Sequence, residues 1–236
     1  FHASMLHPPT QPSFIRPALI EGLRHGRALG TNPFRYGFIG STDTHVAAAG
    51  WVDEPGHPGH GGASLVMAER AGATLADEAE FNPGGLAVLW AEENSRDALF
   101  AAMRRREAYA TSGPRLTVRV FGGWEYAPSM CAAGAGAGDF ATRGYAGGVP
   151  MGGDLPARPA GDARPTFAVS VLRDPGTPGR PGTPLQRVQI VKGWLDGEQP
   201  RDAVFEVAGN PANGAGVDLD RCAPTRQGFD TLCTVW

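Results

Sequence analysis

Apolar positions recur at helical spacing in two places and give way to short strand-like runs over the rest of the chain. From Phe14 to Leu29, Ile15, Leu19, Leu23 and Leu29 repeat broadly every four residues, with Ser13 placed to cap the start and Gly30 to stop the helix. Thr31-Asn32-Pro33 makes a turn, after which Tyr36, Phe38 and Ile39 form a short apolar strand. Gly85-Leu86-Ala87-Val88-Leu89-Trp90 is a continuous apolar run of the kind buried on both faces in a parallel sheet. A second helix begins at Ser95, with Leu99, Phe100 and Met103 on one face and Arg104, Arg105 and Arg106 at its end. With the strand Leu116–Phe121 this reads as a βαβ-like unit. Beyond Gly122-Gly123-Trp124 the pattern changes: residues 127–165 are saturated with Gly, Ala and Pro. Alternating strands then follow at Thr166–Leu172, Leu185–Trp194, Ala203–Val207 and Thr231–Trp236. The expectation is α/β structure over residues 1–122 and a small antiparallel β domain, with no helix, over residues 123–236.

Composition narrows the function more than the fold. The 236 residues include Gly 34 and Pro 21, clustered in loops, so the chain reads as loop-rich but able to bury a core. A net charge of -3 gives no electrostatic case for nucleic acid or an anionic membrane, and no apolar run reaches the roughly 18 residues of a membrane span. Phe1 opens without a start signal and the final residues, DTLCTVW, stop inside an alternating run, so both ends read as cut from a longer protein. Three cysteines, Cys131, Cys222 and Cys233, leave one odd. Spacing suits a Cys222–Cys233 closure, and three thiols fit as well.

The candidate chemistry centres on YGFIGSTDTH, residues 36–45, where an apolar strand turns abruptly polar. In an Asp-x-His at a strand end, alternation sends Asp43 and His45 to the same side, within reach of one cluster of divalent metal (Zn, Mn or Fe). Catalytic zinc takes three protein ligands and a water, so these two need partners. His57 and His60, with Asp53 and Glu54 near, form either a second ligand group or a surface loop, while His2 and His7 read as solvated. Glu92 and Glu93 follow an apolar strand and are either substrate-binding acids or acids at a helix N-terminus. Ser112 and Arg115, in Thr111-Ser112-Gly113-Pro114-Arg115, resemble an anion-binding turn. Asp218 and Asp220 fit either a shared face or a turn.

Taken in order, GTNPFRYGFIGSTDTH, FNPGGLAVLWAEENSRDALFAAMRRREAYATSGPRL, FGGW, GVPMGGDL, LQRVQIVKGWLDG and RCAPTRQGFDTLCTVW resemble the C-terminal half of a bacterial family known as a domain of unknown function. That family is related to the PHP (polymerase and histidinol phosphatase) superfamily. The resemblance implies the C-terminal part of a distorted (β/α)7 barrel, followed by the β domain. It implies a metal-dependent hydrolase, phosphoesterase-like, acting on a small-molecule ester through metal-activated water. Asp43 and His45 match the last ligand motif of that superfamily. Its N-terminal His-x-His has no counterpart in this chain, which places the remaining ligands upstream of residue 1. Full-length relatives carry export signals, implying a periplasmic or secreted setting with which a Cys222–Cys233 pair agrees. Two alternatives stand beside this reading: a non-catalytic binding or assembly module using Trp124 or Trp194, and a hydrolase of another ester such as a sulfate.

Overall fold

The computed structural model describes residues 14–42, 50, 84–134, 136, 138–221, 223–224 and 228–236. The chain divides into two compact units. One joins residues 1–36 to 189–207, and the other joins 37–188 to 208–236.

In the first unit, helix α1 spans Ile15–Leu29. Phe14 occupies the N-cap position without a side-chain cap, and Gly30 closes the helix in the left-handed conformation at φ 73. Asn32 then accepts the Phe34 N–H at 2.8 Å, fixing the turn after the helix. The later part of this unit is a two-stranded hairpin, in which Gly197 turns the chain at φ 61. Helix and hairpin meet where Gly193 abuts Ile20: a Cβ there would lie 2.7 Å from Ile20 Cγ1. Arg16 pairs with Asp202 at 2.8 Å across the same contact.

In the second unit, β1 (Leu86–Leu89) and β2 (Ala108–Thr111) pair antiparallel, Leu86 facing Thr111 and Leu89 facing Ala108. Between them lies α2, Arg96–Arg105, capped by the Ser95 hydroxyl, which accepts the Ala98 N–H at 3.3 Å. Arg106 ends the helix at φ 59, and its N–H returns to the Ala102 and Met103 carbonyls. The Trp90 N–H donates to the Glu107 carbonyl at 2.9 Å, so the helical excursion leaves and re-enters the sheet at the same end.

The remaining strands form a four-stranded antiparallel sheet. They are β3 (Thr117–Gly123), β4 (Gly148–Pro150), β5 (Thr166–Leu172) and, after the hairpin strands β6 (Arg187–Asp196) and β7 (Gln199–Gly209) and the two-residue strands β8 (Val217–Asp218) and β9 (Ala223–Pro224), β10 (Thr231–Val235). Their order is β10-β5-β3-β4. Helix α3, Gly138–Gly147, lies on this sheet with Phe140 and Gly144 as its buried residues, four apart on one face. A Cβ on Gly144 would come within 2.4 Å of the Phe121 ring. Phe121, Tyr126, Met130, Phe140 and Ala168 make the core, and the Cys131–Cys233 disulfide is packed against it.

These observations correct four expectations. The sheets are small and antiparallel, and among the described residues no (β/α)7 barrel strand succession is present. The βαβ reading fails because a crossover must carry the chain to the far end before the next parallel strand, whereas the single left-handed residue Arg106 returns it beside Leu89. A helix does occur within the Gly/Ala-rich stretch. Its glycines permit close approach to Phe121, so they read falsely as loop. Cys233 bonds Cys131, with Cα atoms 5.6 Å apart, and the expected partner Cys222 lies outside the described residues.

Candidate functional site

The stretch preceding Asp43 is held backbone against backbone on the β1–β2 hairpin. Gly37 lies beside Arg106, where a Cβ would be 3.1 Å from Arg106 Cβ, and Gly40 reaches the opposite end of the hairpin. There its N–H donates to the Leu86 carbonyl at 3.2 Å. A Cβ on Gly40 would stand 2.9 Å from Leu86 O and 3.0 Å from Thr111 O; one on Gly85 would stand 2.9 Å from Ser41 O. Only glycine allows backbones this close. Thr42, the last described residue before Asp43, is 5% exposed.

Thr111 ends β2 at this same end, and the candidate anion turn begins there. Thr111 Oγ1 accepts the Gly113 N–H at 3.2 Å, and Gly113 takes φ 126, which favours glycine. Ser112 and Arg115 are exposed. The Arg115 guanidinium reaches the Gly50 carbonyl at 3.5 Å. Thr42 and Gly50 bracket the Asp43-x-His45 motif in sequence. Gly50 also neighbours Leu86, its Cβ position lying 4.0 Å from Leu86 Cδ2. Both flanks of the motif therefore sit at the Leu86–Thr111 end, beside the Ser112–Arg115 turn.

Glu92 and Glu93 are elsewhere. They follow Leu89 at the other end of β1, about 10 Å of strand away, and the antiparallel register separates them from Ser112 and Arg115. Glu92 is exposed and pairs with Arg105 at 3.2 Å. Asp43 and His45 themselves, together with His2, His7, Asp53, Glu54, His57 and His60, lie outside the described residues. Among the described residues no group of three or more His, Cys, Asp or Glu could hold a metal ion. The described histidine, His25, stands 3.4 Å from Glu21 on α1. Asp218 accepts the Asp220 and Arg221 N–H groups at 3.0 and 3.2 Å and so shapes a turn. Trp124 and Trp194 are both half-buried.

A charged network around the buried Glu107 carboxylate lies at the Leu89–Ala108 end, and sequence reasoning missed it. The Glu107 side chain is 4% exposed. Its carboxylate accepts the Tyr145 hydroxyl, lies 3.4 Å from Arg105 Nε and 3.7 Å from Arg119 Nη1. Arg119 in turn donates to the Tyr145 oxygen at 3.0 Å and stacks on Trp90, 3.4 Å from the ring centre. Burial, and after it the hydrogen bond to Glu107, raises the Tyr145 phenol above its ordinary range. The signal in the sequence was an acid in Arg-Glu-Ala-Tyr at a strand start, indistinguishable there from surface charge. Every member is engaged with another, so the arrangement reads as a clamp between β2, β3 and α3 rather than a substrate site. In the first unit, an open groove of about 1070 Å³ runs between Phe14, Pro17, Ile20, Phe34 and Pro200. Its walls are largely apolar, and the Arg16–Asp202 pair occupies one edge.

The sequence model of a family described as protein of unknown function (DUF3604) matches residues 3–236. No curated protein and no solved structure matches the chain.

Proposed function

We propose, from the premise that the chain belongs to the DUF3604 family, that it is part of a metal-dependent hydrolase of small-molecule esters, phosphoesters foremost. The chemistry rests on Asp43 and His45. The observation that carries this reading is the glycine-built junction at Gly40 and Gly85, which fixes the stretch leading into an Asp-x-His motif beside an arginine-bearing turn that also reaches Gly50 on the motif's other flank. The resemblance to the PHP superfamily points the same way for chemistry. Asp43 would supply a hard carboxylate oxygen and His45 a neutral imidazole, a donor set suited to Zn, Mn or Fe. When bound, such an ion lowers the pKa of a water to about 7 and so supplies a nucleophile at neutral pH. Arg115 would neutralise the ester's anionic group through its guanidinium, and Ser112 would donate a hydroxyl to it. Imidazole must be neutral to bind metal, so occupancy should fall as pH drops below about 6.5. A Cys131–Cys233 bond fits folding in an oxidising compartment, the periplasm or the exterior.

The test is hydrolysis of p-nitrophenyl phosphate and bis-p-nitrophenyl phosphate by the full-length protein after reconstitution with Mn2+, Zn2+ or Fe2+, in wild type and Arg115→Ala. Metal-dependent turnover that Arg115→Ala weakens chiefly in KM supports the reading. Metal-independent turnover, or none with any of the three ions, contradicts it.

A further inference from the structure

We infer that Asp174, outside every motif named above, is a positioning residue for the Ser112–Arg115 turn; the inference rests on the proposed role of that turn in holding an anion. In the β3–β5 ladder Thr117 faces Leu172, so two residues further out Arg115 falls opposite Asp174. A continued ladder would pair their backbones. Instead the Asp174 side chain takes the place of the next rung: Oδ2 accepts the Arg115 N–H at 2.7 Å, and Oδ1 accepts the Gly176 N–H at 2.8 Å. Asp174 is 7% exposed. Two short bonds from backbone N–H groups to one buried carboxylate are charge-assisted and directional. They lock the last residue of the turn to the first loop after β5.

The loop is itself fixed on Asp174. Gly176 adopts φ 64, and Gly182 packs so closely that a Cβ would lie 2.1 Å from the Asp174 carbonyl oxygen. Arg173 holds the Gly182 carbonyl at 3.1 Å. A rigid loop therefore grips a carboxylate, the carboxylate grips the Arg115 backbone, and the backbone sets where the exposed guanidinium starts. Preorganisation of this kind raises affinity for an anion by removing the ordering cost of the turn. The four-stranded sheet thus acts on the site through one side chain.

The experiment uses the full-length protein as wild type, Asp174→Ala, Asp174→Asn and Arg115→Ala. It combines titration with inorganic phosphate in the presence of Mn2+, bound manganese content, and amide hydrogen exchange. Asp174→Ala should weaken phosphate binding at least tenfold with manganese content unchanged, and abolish exchange protection at Arg115 and Gly176 while β3 and β5 stay protected. Asp174→Asn keeps one acceptor oxygen, so it should recover part of the affinity and protection at one of the two amides; it also serves if the alanine variant fails to fold. Wild-type phosphate affinity in a folded Asp174 variant, or unchanged protection at both amides, overturns the inference. Wild-type protein that binds neither manganese nor phosphate overturns the proposed function instead, and the amide protection still decides whether Asp174 holds the turn.

Discussion

Among the described residues of the second unit two carboxylates are buried, Glu107 at 3% and Asp174 at 7% exposure, and the fold satisfies them in different ways. Asp174 is held by backbone N–H groups, whereas Glu107 is held by Arg105, Arg119 and the Tyr145 hydroxyl. Removing the buried carboxylate leaves the partly buried Arg119 without its counter-charge and the Tyr145 hydroxyl without its acceptor. The loss falls at the low end of the cost of breaking a buried pair, because Arg105 keeps solvent and Glu92. Glu107→Ala should therefore lower unfolding stability by about 3 kcal/mol in urea titrations, and an unchanged midpoint would contradict the clamp. The same cluster makes a pH prediction. A folded-state phenol raised above the unfolded value contributes stability that is full below pH about 10 and is lost as pH climbs through the folded value. The urea midpoint of wild type should fall more steeply above pH about 10 than that of Tyr145→Phe; parallel curves would show that Tyr145 is not coupled to folding.

At the scale of elements, the junction at Gly40 and Gly85 matters most. A Cβ at either position meets backbone carbonyls at 2.9 Å, and backbone cannot rotate away as a flexible side chain can. Gly40→Ala should cost about 1–3 kcal/mol by overpacking and lower metal occupancy with it, as read by thermal unfolding and metal content. Stability and occupancy equal to wild type would show that the close approach does not position the motif. Periodicity found the strands Thr166–Leu172 and Thr231–Val235 and the helices ending at Gly30 and beginning after Ser95, because each has a local cap or an alternating face. It failed where the deciding interaction was remote. Nothing near Leu86–Leu89 says that its partner is Thr111 in antiparallel register, since a short apolar run is the same in either sheet type. Phe140 and Gly144 become a packing face only once Phe121 lies beneath them. Of the candidate site, Ser112 and Arg115 stand out in sequence as a turn. Asp174 does not, because its role depends on the β3–β5 register.

For the whole molecule, the Cys131–Cys233 bond ties the 3-10 turn Pro128–Cys131 to the last strand across a separation of 102 residues. Closing a loop of that length restricts the unfolded chain by about 4–5 kcal/mol on the chain-entropy estimate. Cys131→Ser should lower stability by roughly 2–5 kcal/mol, and dithiothreitol should produce the same loss in wild type but none further in the variant. Equal stability with and without reductant would contradict a stapled core. Above these structural terms stands the claim that the chain carries part of a metal site, and metal content tests it most directly. Purified wild type, Asp43→Ala and His45→Ala are loaded with Mn2+ or Zn2+ at pH about 7.5, above the imidazole's ordinary titration range, then desalted and analysed for bound metal. The account predicts stoichiometric metal in the full-length wild-type protein, which supplies the remaining ligands, and at least a tenfold loss of affinity in each full-length variant, with the fold unchanged by circular dichroism. Metal content equal to wild type in both variants would contradict it.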